Sequence, residues 1–241
     1  MLKIKIETQP DDFTCGPTSL HAVYNYYRDD ISLSEVISKV ASLEEEGGTL
    51  AVCLGSHALK RGYSATVFSY NPKVFDPTWN SFTSEEIIER LSDQLKYKKG
   101  KKFSNATDEY IKFLRSGGKL AFNDLTPALL KYYFDKKIPV LAGLNATYLY
   151  QSKREHVGIN GNVIEDDLKG TSAGHFVVLC GEKDSSQVVV ADPYKKNPFS
   201  PDNYYEVDIN RLINSIMLGV ITYDANLLII QPEKRKGSCA I

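Results

Sequence analysis

The chain has 241 residues, 42% of them hydrophobic, with 29 Lys and Arg against 30 Asp and Glu and a formal net charge of −1. That size suits one large domain with an insertion or a domain with a small lobe, and the balanced charge gives no global pull toward nucleic acid or an anionic membrane. No apolar stretch approaches the length of a transmembrane helix, the N-terminus does not read as a signal peptide, and the four cysteines follow no disulfide or metal-ligand spacing, so a reduced, cytoplasmic setting is expected.

In chain order, residues 1–6 alternate charged and apolar groups and predict a first strand. Helices are predicted over 15–28, 34–42 and 49–61, the last closed by Gly62, and a strand over 63–69. Thr83 or Ser84 followed by Glu86 is a capping signature for an amphipathic helix over 84–96. A basic loop over 96–102, a helix over 108–115 and a Thr126-Pro127 helix start running to 135 follow. Residues 139–143 resume the sheet. The glycine-punctuated stretch 145–172 reads either as a lid or as a hairpin with a frayed tip. Strands over 174–179 and 188–191 flank a turn at 183–186, a proline-containing loop spans 193–203, Asp208 caps a helix to 217, and 227–231 is a last strand. Residues 233–241 read as a mobile tail; its final Cys239-Ala240-Ile241 is one residue short of a prenylation box.

Cys15 opens the first helix in Phe13-Thr14-Cys15-Gly16-Pro17-Thr18-Ser19, with Gln9 six residues upstream. Oriented N–H groups and the positive end of the helix dipole favour a thiolate there, and the thiolate is the nucleophile. Gln9 offers an amide donor for a developing oxyanion. Gly174-His175-Phe176-Val177-Val178 starts one buried strand and Val190-Ala191-Asp192-Pro193 ends the next, so antiparallel pairing brings His175 beside Asp192. An acid on one ring nitrogen fixes the tautomer and turns the other nitrogen toward the thiol. His156 is a rival base, on a predicted loop; His21 points away from Cys15 on the same helix, and His57 reads as a surface residue. Cys53 and Cys180 lie in apolar segments and read as packing residues. No Cys-x-x-Cys or His-x-x-x-His pair offers a metal site, and no cofactor is expected.

Gln9, Cys15-Gly16-Pro17-Thr18-Ser19-Leu20, Gly174-His175-Phe176-Val177-Val178 and Ala191-Asp192-Pro193 resemble the papain-like cysteine peptidases of the bacteriocin-processing, double-glycine leader type. The resemblance spans about residues 5–30 and 170–195 and, loosely, 139–143; residues 70–135 have no counterpart in it. It implies a nucleophile at Cys15, a general base at His175, an orienting acid at Asp192, an oxyanion donor at Gln9, and a peptide or protein as substrate. The fold expected is α+β and papain-like, a single domain over 1–232 with a helical insertion at 70–135 and the site in a cleft between helices and an antiparallel sheet. Three activities fit these residues: hydrolysis of a peptide bond through a thioester, transfer of the same acyl group to an amine as in phytochelatin-synthase-like transpeptidases, and peptide binding without catalysis. The natural substrate and the oligomeric state are not legible.

Overall fold

The structure is a computed structural model that describes residues 1–41, 48–158 and 162–233. Three helices, α1 (Cys15–Tyr26), α2 (Leu33–Lys39) and α3 (Ala51–Lys60), lead to strand β1 (Tyr63–Ser69). Then come α4 (Ser84–Tyr97), α5 (Lys101–Arg115), β2 (Lys119–Ala121), α6 (Pro127–Asp135), β3 (Val140–Asn145) and α7 (Ala146–Tyr150). A small hairpin of β4 (Glu155–Val157) and β5 (Val163–Glu165) precedes the long β6 (Gly174–Glu182), β7 (Gln187–Ala191), β8 (Tyr204–Asp208), α8 (Ile209–Leu218) and β9 (Asn226–Pro232).

The main sheet has seven strands in the order β2-β1-β9-β3-β6-β7-β8, antiparallel except for the β1–β2 pair. Its central strands alternate between two cores, as a period of two requires. Leu141, Phe176, Val178 and Leu228 join α1 to α5 in one core. Val140, Ala142, Leu144, Val177 and Leu179 join α6, α7 and α8 in the other. Helices therefore cover both faces, and the strands read as near-continuous apolar runs.

Local signals account for most boundaries. Thr83 and Glu86 form the complete capping box of α4, Thr126 accepts from the Leu129 N–H ahead of Pro127 in α6, and the Asp208 carboxylate caps α8. Four expectations need correction. Residues 1–6 form no ladder; Leu2 and Ile4 are buried, and the segment is tied by Leu2 N–H to Cys180 O (2.7 Å) and Ile6 N–H to Tyr204 Oη (3.0 Å). Helix α5 begins at Lys101, seven residues before the predicted start, because Phe103, Ala106, Thr107 and Tyr110 already belong to its buried face. Strands β2 and β8 are additional to those predicted. His57 is buried, not at the surface, and its Nδ1 lies 2.8 Å from the Tyr24 hydroxyl. Ser42, Gly161 and all of the expected tail from Lys234 to Ile241 lie outside the described residues.

Candidate active site

Helix α1 and strand β6 meet edge to face, and the residues after Cys15 explain how. A Cβ at Gly16 would stand 3.4 Å from both Leu54 and Phe176, ordinary contact distance, so this face of α1 lies directly against α3 and β6. Pro17 suits a first helical turn, where its missing N–H is not needed. The Thr18 hydroxyl donates to Thr14 O at 2.7 Å. The Ser19 hydroxyl donates to Phe176 O at 3.1 Å, a direct bond from the helix of Cys15 to the residue after His175. Thr14 makes no side-chain cap, so the first-turn N–H groups of α1 are not satisfied by one.

The β6–β7 register pairs Val178 with Ala191, which carries the start of β6 alongside the residue that follows β7. His175 Nε2 and Asp192 Oδ1 are 2.8 Å apart. With Nε2 taken by Asp192, Nδ1 is the ring nitrogen left over, and the Cys15 side chain lines the same cleft and acts on the ring electrostatically. Cys15 and His175 thus share one cleft, with Asp192 buried behind the imidazole.

Asp192 is fully buried and its acceptor positions are filled. Oδ1 takes the Tyr194 N–H (2.8 Å) as well as His175, and Oδ2 takes the Tyr150 hydroxyl (2.6 Å) and the Tyr205 hydroxyl (2.7 Å). Burial alone would raise this carboxyl, but His175 and the bonds from His175, Tyr150 and the Tyr194 N–H hold it below its ordinary value. Burial would likewise lower His175, yet the Asp192 carboxylate and the Cys15 sulfur on either side outweigh it and raise the imidazole to about 10. The same carboxylate, added to burial, pushes the Tyr150 and Tyr205 hydroxyls well above their usual range, so both remain donors.

Gln9 sits half-buried at the entry to α1. Its N–H donates to Pro193 O (2.9 Å), next to Asp192, and its Nε2 donates to Asp11 O (2.8 Å). Its Oε1 is buried without a partner, and Gln9 is not among the residues that line the cleft. His156 lies on β4, not on a loop; it lines the cleft, with Nε2 3.9 Å from Asp166. His21 is buried against Ile31 O, 3.0 Å away, on the side of α1 remote from the cleft. Burial pushes the Cys53 and Cys180 thiols up to about 12, in keeping with packing roles. Among the described residues no three His, Cys, Asp or Glu side chains converge as metal ligands. No helix of the described residues is long and apolar enough to cross a membrane.

A cleft of about 340 Å³ opens over Cys15 and His175. Its walls come from Asp12 and Phe13, from Thr49 and Leu50, from the β4–β5 hairpin, and from Thr222 and Asp224 ahead of β9. Tyr150, Tyr205 and Asp224 had no motif to mark them. The one available signal for Tyr205 is its alternation with Val207 in a Tyr204–Asp208 strand.

The family model described as the Peptidase_C39 like family matches residues 1–214. The chain belongs to that family. Its fold is the papain-like α+β fold of C39 peptidase domains, with the helix that Cys15 opens packed on a largely antiparallel sheet. Three solved structures are similar to this C39-like chain. One is a double-glycine-motif protease from an AMS/PCAT transporter in complex with the leader peptide, at 15% identity, covering 96% of this chain and 93% of its own, TM-score 0.46. A second is a C39-like peptidase from Bacillus anthracis, at 15% identity, covering 98% of each chain, TM-score 0.49. The third is the peptidase domain of Streptococcus ComA, a bifunctional ABC transporter of a quorum-sensing pathway, at 14% identity, covering 95% of this chain and 99% of its own, TM-score 0.46. No curated protein matches the sequence.

Proposed function

We propose that this C39-like chain is a cysteine peptidase that cuts peptide bonds through a thioester, with Cys15 as nucleophile, His175 as acid and base, Asp192 as its orienting partner and Gln9 as an oxyanion donor. The observation that carries the reading is the His175–Asp192 pair at 2.8 Å, standing in the same cleft as the Cys15 thiol at the start of α1. The Cys15 sulfur adds to the peptide carbonyl carbon. The oxyanion takes hydrogen bonds from the Cys15 N–H and from Gln9 Nε2, which has a second hydrogen beyond the one given to Asp11. Collapse breaks the C–N bond, and His175 protonates the departing amine. Water, losing a proton to His175, then cleaves the thioester and restores the thiol pair.

The test is a peptide-library digest read by mass spectrometry, beside labelling of Cys15 by a thiol-reactive acyl probe. Cys15→Ala should abolish cleavage, and His175→Ala should cost nearly as much because the two act as a unit. Asp192→Asn should cost less, since it removes no reacting group. Gln9→Ala should lower the rate on the order of 10²–10³-fold. Near-normal activity in the His175 and Gln9 variants, or activity lost only with His156, overturns the assignment. Addition of an amine to the digest separates hydrolysis from transfer of the same acyl group.

A further inference from the structure

The cleft holds a second buried carboxyl that the proposed mechanism leaves unused. Asp224 stands just before β9, with its N–H on Gly219 O (2.8 Å), and lines the cleft with Cys15 and His175. It is 9% exposed. Its Oδ2 fills the space in which a side chain on Gly174 would start: a Cβ there would fall 1.9 Å from that oxygen. The residue immediately before His175 is therefore glycine where the carboxyl needs the room.

The partners of the two acids differ sharply. Asp192 accepts four hydrogen bonds. The Thr222 hydroxyl donates to Gly219 O at 3.2 Å and is also the polar group that draws the neighbouring Asp224 carboxyl down. A threonine hydroxyl has one hydrogen to donate, so the two acceptors compete for it. Lys102 of α5 and His175 of β6 act on the carboxyl from a distance, Tyr110 of α5 feels its charge, and no ion pair to Asp224 forms among the described residues. Burial raises Asp224 to about 7 against the opposing pull of Thr222, Lys102 and His175. Two further acids, Asp12 and Glu155, share the cleft wall with Lys102 and the imidazole of His156. A buried, under-donated carboxylate becomes favourable when a cation fills the space before it.

We propose that Asp224 is a specificity-determining residue of the cleft, selecting peptides that present a lysine or arginine side chain next to the bond to be cut. The proposal rests on the peptidase reading above. Ionised Asp224 pairs with the incoming cation from the cleft wall that it forms beside Gly174. Because the acid titrates near 7 while His175 stays charged up to about 10, the preference for a cation strengthens as pH rises from 6 to 8.

Two measurements on the full chain test this. In the first, Cys15 is modified with a charge-matched pair of methanethiosulfonates, one carrying trimethylammonium and one sulfonate, and the ratio of the two rates is read by mass spectrometry. At pH 8 Asp224→Asn should lower the cation-to-anion ratio on the order of tenfold, and lowering the pH to 6 should bring the unaltered protein toward the Asn value. In the second, a peptide library pairs lysine with norleucine and arginine with citrulline, and enrichment of the basic residue should vanish in Asp224→Asn. A reagent ratio unmoved by Asp224→Asn overturns the proposal, as does cleavage without basic enrichment or enrichment that survives the substitution. Those outcomes leave the peptidase reading standing. A Cys15 that reacts with neither reagent, with no peptide cut, overturns that reading and this proposal with it.

Discussion

Asp192 has no spare acceptor capacity, and at the scale of single residues that makes the two tyrosines consequential. Tyr150 and Tyr205 each place a hydroxyl on Oδ2, at 2.6 and 2.7 Å. Deleting either leaves a buried carboxylate short of a charge-assisted donor. Tyr150→Phe and Tyr205→Phe should each lower kcat/KM on the order of tenfold. The sign of the pH effect follows from the direction of the shift. Asp192 sits below its ordinary value, so its ion pair with His175 is present at neutral pH and lost as pH falls through the folded value. Removing a donor moves that value up, and the acid limb of the pH–kcat/KM profile should move up with it; an unmoved limb would show that the tyrosines only fill space. His175 runs the other way. Its raised value means the imidazolium is fully present below its ordinary 6.5 and is lost as pH climbs toward about 10. Since the Cys15 sulfur is one cause of that rise, Cys15→Ala should lower the His175 titration midpoint, which histidine NMR reads directly. The same midpoint in both proteins contradicts the thiol–imidazole contact.

At the scale of elements, the β4–β5 hairpin and Gly174 line the cleft. Glu155, His156, Val157 and Val163 of the hairpin line it, and Val157 and Val163 are 68% and 42% exposed, apolar surface offered to a ligand. Replacing residues 152–169 by a short turn should raise KM or change sequence preference, with less effect on alkylation of Cys15. An unchanged kcat/KM ratio for two peptides of different sequence would remove the hairpin from substrate handling. Gly174→Ala should cost about 1–3 kcal/mol in stability, because Asp224 must leave its place to admit the methyl group; thermal unfolding measures it. The same elements show what the sequence could carry. The capping box at Thr83, Pro127 behind Thr126 and Asp208 ahead of α8 are local signals, and each helix starts where they put it. The meeting of His175 and Asp192 was legible because two apolar runs and a turn fix which strand ends meet. Tyr150, Tyr205 and Asp224 were not, because each reaches the site from a different element through sheet order, which no local pattern encodes. Strand β2 is three residues long and pairs in parallel with β1 across two intervening helices, a contact without a sequence period to betray it.

At the scale of the whole molecule, the sheet is held together by its last strand. The family model ends at residue 214, yet β9 lies between β1 and β3, hydrogen-bonded to both. A chain ended at residue 225 would leave β1 and β3 with unpaired facing edges and remove Leu227, Leu228, Ile229 and Ile230, all buried, from the two cores. It should show no cooperative thermal transition by circular dichroism; a sharp transition near that of the full chain would mean the two halves of the sheet stand alone. This closure also fixes when the molecule can act. The bond from Ser19 to Phe176 joins residues 157 apart, and α1 has no imidazole opposite its thiol until β6 is in place. At roughly 5–20 residues per second, α1 waits on the order of ten seconds for the histidine to be made. β9 comes later still. While residues 16–174 are being made, the nascent chain therefore carries the Cys15 thiol without the His175 imidazole, and on the peptidase reading proposed above it cannot cut itself or its neighbours in that interval.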